Sequence, residues 1–146
     1  MAFTVNRGSP SFSGVTAKYQ IWGNTIATPD PPTVGEGVAG LFADVGLDAA
    51  DTTVGCFDIG SLTVSGNKNT LNGSSPANGA ADVVLVQDAS TVGHIDLPQY
   101  PVVADDGTAV DGYIQPRNNN SGSTTVIGAG NYSSGFRQVA AGACGT

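Results

Sequence analysis

Charge is scarce in this chain. Asp, Glu, Lys and Arg make up only 12% of its 146 residues, about half of what a globular domain usually carries. Twelve acids stand against five bases, a net charge of −7. The bases (Arg7, Lys18, Lys68, Arg117 and Arg137) never cluster, so no positive footprint exists to displace phosphate counterions. Nucleic acid and anionic membranes are excluded as partners on that ground. Long apolar runs are missing too: no 18-residue stretch could serve as a transmembrane helix. The start, Met1 to Arg7, has no basic segment followed by an apolar one, so synthesis in a cytoplasm without a cleaved leader is expected.

Residues that carry chemistry are equally sparse. Glu36 is the only glutamate, and the aspartates sit mostly among turn residues, so no carboxylate pair for glycoside hydrolysis can be named. Asp105, Asp106 and Asp111 form one acidic group and Asp44, Asp48 and Asp51 another. Neither has the alternating oxygen ligands and closing Glu of a calcium loop, which leaves turn-forming and solubility roles or at most a weak calcium site. His94 is the single histidine, with Ser90 and Asp96 nearby. A nucleophile elbow is lacking, and His94 reads as a strand-face or surface residue. Gly128-Ala129-Gly130 precedes no helix signal, so a phosphate loop fails on context. Cys56 and Cys144 lie outside any CxxC: they read as buried free thiols in a reducing cytosol, or as a disulfide within or between subunits. Trp22, Tyr19, Tyr100, Tyr113 and Tyr132 could stack on sugar, though aromatics on a pleated sheet more ordinarily build core or interface. No enzyme, cofactor or metal site emerges.

Small residues and valine are what the chain has in quantity. Gly, Ala, Thr and Ser fill 64 positions and Val another 16, and β-branched side chains favour strands. Alternation or short apolar runs predict strands at Phe12 to Trp22, Thr52 to Ile59, Asp82 to Gln87 and Thr108 to Gln115, the third apolar on both faces and so central. Weaker candidates are Ser61 to Ser65, Thr91 to Asp96, Ser123 to Ile127 and Gly135 to Val139. Val38, Leu41, Phe42 and Val45 have the spacing of a helix face among four glycines, which predicts either a short helix or a glycine-rich β-loop. Between these lie a proline connector (Thr28 to Pro32), a turn-rich stretch (Asn67 to Gly79), a hairpin signal at Asp105-Asp106-Gly107, and the loop Asn118 to Gly122. No long internal repeat is visible. Such spacing predicts an all-β chain: one domain over 1–146, an antiparallel β-sandwich or β-barrel with long Gly/Ser/Asn/Pro-rich loops and at most one short helix.

Part of the chain has a further likeness. Val83-Val84-Leu85-Val86-Gln87, then His94-Ile95-Asp96-Leu97-Pro98-Gln99-Tyr100-Pro101, then Thr108-Ala109-Val110-Asp111-Gly112-Tyr113-Ile114, then Thr124-Thr125-Val126-Ile127-Gly128 resembles small virion proteins of tailed bacteriophages, most of all the capsid decoration or cement proteins. It covers residues 83–140 in texture, without a diagnostic motif. The resemblance implies a non-enzymatic protein on the capsid exterior, made in the host cytoplasm. Its partners would be the major capsid protein and copies of itself, in trimers, with no cofactor. It also implies that residues 1–11 act as a docking arm, with Phe3, Val5 and Phe12 as its capsid-binding anchors. Other phage structural roles (head-fibre base, tail tube, tail tip) and a carbohydrate-binding or adhesive sandwich are the alternatives.

Overall fold

The computed structural model describes residues 1–5, 14–27, 39–46, 51–72, 82–87, 93–101, 107–119, 124–128 and 135–145. Ten strands occur among them: β1 (Ala2–Val5), β2 (Thr16–Ile21), β3 (Thr25–Ala27), β4 (Leu41–Val45), β5 (Val54–Ile59), β6 (Thr70–Asn72), β7 (Val83–Gln87), β8 (His94–Pro98), β9 (Thr124–Gly128) and β10 (Phe136–Val139). One helix, α1 (Gly107–Ile114), follows β8. They form three sheets, ordered β1-β4-β7-β9, β10-β8-β5-β2 and β3-β6.

Every pairing is parallel. The expected antiparallel sandwich or barrel is therefore wrong. A parallel neighbour is reached only through a long crossover, whereas hairpins make antiparallel neighbours of consecutive strands. In this respect the connectivity is of the α/β type. The crossovers, however, run through other sheets. The chain visits the first sheet, the second and then the third, and begins again: β1-β2-β3, β4-β5-β6, β7-β8, β9-β10. Each pass lays a strand beside its counterpart from the pass before, so the chain winds as a coil of parallel strands.

The coil has a period that the sequence conceals. Ala2 pairs with Phe42, Phe42 with Val84, and Val84 with Thr125, steps of 40, 42 and 41 residues. Steps in the second sheet are 38 to 41 residues and in the third 45. A spatial repeat exists without a repeated motif, because each pass only needs apolar side chains at alternate strand positions. Leu41, Ala43 and Val45 point inward from β4, Val83 and Leu85 from β7, Phe57 and Ile59 from β5, and Ile95 and Leu97 from β8. One core joins all three sheets, with Leu71 from β6 and Val110, Tyr113 and Ile114 from α1. Register stacks like on like. Tyr19 pairs with Phe57, their rings lie 5.1 Å apart and nearly parallel, and Phe3 closes on Tyr19 at 4.5 Å. Gly55 is small for a reason: a Cβ there would meet the Phe57 ring at 2.5 Å and Val45 at 2.6 Å.

Several local expectations change accordingly. Thr108 to Gln115 is not a strand. Val110, Tyr113 and Ile114 satisfy helical spacing as well as Val110, Gly112 and Ile114 satisfy alternation, and the fold buries the helical set. The strand expected after the turn signal at 105–107 is lost with it, since Gly107 opens α1; Asp105 and Asp106 lie outside the described residues. Residues 41–45 are β4 and not a helix, since inward Leu41, Ala43 and Val45 follow the period of two. Ser61 to Ser65 is not a strand either: Ser61 Oγ accepts the N–H groups of Thr63 and Val64 and turns the chain into a 3-10 turn at Ser65–Asn67. Residues 1–5 are not a free arm, because β1 is paired to β4 along its length. Phe3 belongs to the core stack and is unavailable as a capsid anchor. The Val5 side chain and Phe12 lie outside the described residues.

Asparagine sets the corner between the second and third sheets. Asn69 Oδ1 accepts the backbone and side-chain N–H of Asn24, while its Nδ2 donates to Ile21 O at 2.7 Å and to Asn118 Oδ1 at 2.8 Å. Three successive passes are tied through one side chain whose two donors and two acceptor sites are all used. Asn69→Ala should therefore lower stability by about 2–4 kcal/mol, because it strips partners from several buried groups at once. Urea unfolding should show an earlier midpoint at an unchanged slope.

Candidate functional site

Parallel strands all end on the same side, so the segments leaving the second sheet converge. Trp22 follows β2, Gly60 and Ser61 follow β5, and Gln99 follows β8. Together with Thr63, Val64, Asn67, Arg117 and the turn at Ala141–Gly142 they line a cleft of about 250 Å³. Gly60 is required there: its φ is +73°, and a Cβ would meet Arg117 O at 2.2 Å and Asn118 Oδ1 at 2.3 Å. Gln99 also has left-handed backbone, at φ 60°, with its N–H donating to Val139 O at 2.8 Å.

The floor is a buried ion pair. Asp58, on the outer face of β5, accepts from Arg117 at 3.1 Å, and both residues are more than nine-tenths buried. Arg117 also lies 4.7 Å from the centre of the Tyr113 ring, a cation–π contact. Its Nε has no hydrogen-bond partner among the described residues. Such a pair holds geometry firmly, because removing either member would leave a buried charge uncompensated.

The wall at 141–142 belongs to a strap. After β10 the chain turns back across the outer face of the second sheet, where Cys144 joins Cys56 in a disulfide spanning 88 residues. Gly145 reaches Gln20 on β2, at the far edge. Closing so long a loop is worth ~4–5 kcal/mol in the chain-entropy picture. The strap buries Cys56, so this strand is covered on both faces.

The other residues considered from sequence fall elsewhere. His94 and Asp96 share the outer face of β8 with Nε2 3.2 Å from Oδ1; Ser90 lies outside the described residues. Tyr19, Tyr100 and Tyr113 enter the core, Tyr100 and Tyr113 edge to face at 5.5 Å. Tyr132 lies outside the described residues, and of the four described aromatics only Trp22 lines the cleft. Asp44, Asp51 and Asp111 are dispersed; Asp48, Asp105 and Asp106 lie outside the described residues. No group of three potential metal ligands occurs among the described residues. Asp58, Gln99 and Arg117 were not singled out from sequence, since nothing local marks a strand-end Asp and an Arg 59 positions later as partners. Comparison with protein-family models, curated proteins and solved structures finds no match to this chain.

The Tyr113 hydroxyl donates to Pro98 O at 2.6 Å beneath the cleft. Burial holds its pKa well above the ordinary value of about 10, opposed by Arg117 and helped by Asp58. The folded chain thus keeps this proton when the unfolded chain releases it. Its stabilising effect is full below about pH 10 and declines as pH rises beyond that. Tyr113→Phe should unfold more easily at neutral pH by about 1 kcal/mol and lose less stability between about pH 8 and about pH 11 than the parent, by denaturant titration.

Proposed function

We propose that this chain is a non-catalytic structural protein of a tailed-phage virion, added to the outer surface of the capsid and stabilising it. The observation that carries the reading furthest is the disulfide strap. A bond that pins the last coil across the second sheet persists in oxidising surroundings, the outside of a released particle among them. The likeness of residues 83–140 to decoration proteins points the same way. So does a surface poor in charge, which is cheap to desolvate against a neighbour. The major capsid protein is the partner, and copies of the chain meet as symmetric trimers whose repeated contacts add through multivalency. The acidic balance disfavours a position against packaged DNA.

The means of attachment differs from a docking arm. With Phe3 committed to the core, the apolar side chains left at the surface include Leu62 and Val15, 59% and 46% exposed. Leu62 stands on the excursion between β5 and β6 and is the better anchor. Cryo-electron microscopy of virions that carry the chain tests the assignment. Coil-shaped density on the outer capsid at local symmetry axes is expected, and Leu62→Asp should lower its occupancy several-fold. Density confined to the tail would select a tail or fibre subunit instead, and a chain recovered only apart from particles would overturn the virion reading.

A further inference from the structure

We infer that the cleft at the ends of the second sheet binds one ring of a neutral sugar, a role separate from any contact that seats the protein on a particle. The cleft lining combines two chemistries. Trp22, 40% exposed, Val64 and Pro98 supply apolar surface. The Asp58–Arg117 pair, Ser61 and Gln99 supply polar groups. A pyranose ring offers both counterparts, with C–H groups on its faces and hydroxyls at its edge. Pockets commonly combine apolar walls with a few placed polar groups in this way.

Two features suit an oxygen-bearing ligand. Ser61 Oγ, on the cleft lining, accepts two backbone N–H groups and makes no donor bond of its own among the described residues. Gln99 holds left-handed backbone at the cleft, where glycine would be unstrained; strain kept at a concave site is a pointer to function. Charge then selects the ligand class. Among the described residues Arg117 is the only cation lining the cleft, and it is answered by Asp58 at 3.1 Å. The whole chain carries −7. A carboxylate or phosphate would meet no uncompensated positive charge there, whereas a neutral polyol can both donate to Asp58 and accept from Arg117.

Trp22 is the only tryptophan, so intrinsic fluorescence reports on this site directly. The probes are the methyl glycosides of glucose, galactose and mannose, with sodium acetate and inorganic phosphate as anionic counterparts at matched ionic strength. A saturable change in Trp22 emission with at least one glycoside, and none with either anion, is expected. Gln99→Gly keeps the backbone geometry without the amide and should weaken the affinity about fivefold. Trp22→Ala, followed by ligand-observed NMR, should weaken it about tenfold or more. No saturable response to any glycoside, an equal response to acetate or phosphate, or full affinity in both variants would overturn the inference.

Discussion

One side chain fixes how this coil winds. Asn69 sits where the second sheet gives way to the third, holding Asn24 of the preceding pass on one side and Asn118 of the following pass on the other. Backbone bonds run alongside: Thr70 N–H donates to Asn24 O, and Asn119 N–H donates to Asn69 O one pass later. An amide can do this because it carries donors and acceptors in one plane, so identical groups stack at the strand spacing, each satisfying the next. The site is buried, so a slip of register would leave several polar groups without partners in low dielectric, where that costs most. With the corner fixed, the stack of Phe3, Tyr19 and Phe57 and the inward rows of both four-stranded sheets fall into register.

The cleft is a consequence of the same geometry. Asn118 immediately follows Arg117, and its Nδ2 donates to Ile114 O at 2.9 Å. The ladder therefore places the guanidinium beneath the strand ends and over the Tyr113 ring. Parallel pairing brings the exits of β2, β5 and β8 to one side, and the disulfide strap supplies the remaining wall. The open edges are managed as well. Lys18 on β2 and Arg137 on β10 occupy the same outward ladder row through Cys56 and Asp96. Stacking two coils end to end would bring these like charges together, and charged residues at sheet edges oppose such pairing.

Much of the strand content was legible from alternation, and the partners were not. Residues 16–21 and 54–59 read as strands from alternation and 83–87 from a short run apolar on both faces, and β7 does lie inside its sheet. Alternation says which way a side chain points, never which strand lies alongside. Turn signals such as Asn72-Gly73 then made consecutive strands look like hairpin neighbours. The correction was present in a faint form. Asn24-Thr25-Ile26 and Asn69-Thr70-Leu71 are the same corner 45 residues apart, too short a likeness to stand out without knowing what an aligned asparagine does. Helix α1 was missed because Val110 and Ile114 fit both periods, and only the burial of Tyr113 separates them. The cleft was illegible because its ion pair joins a strand end to a turn far along the chain.

The parallel coil is the claim on which the corner, the strap and the cleft all rest, and solution NMR addresses it directly. Through-space contacts should link the side-chain amide protons of Asn24 to Asn69 and of Asn69 to Asn118. Amide contacts should connect Thr25 with Thr70 and Phe42 with Val84. Close Hα–Hα contacts between neighbouring strands, the mark of antiparallel pairing, should be missing from these sheets. A spectrum with strong Hα–Hα contacts between consecutive strands, and with no contact among the three asparagine amides, would contradict the account.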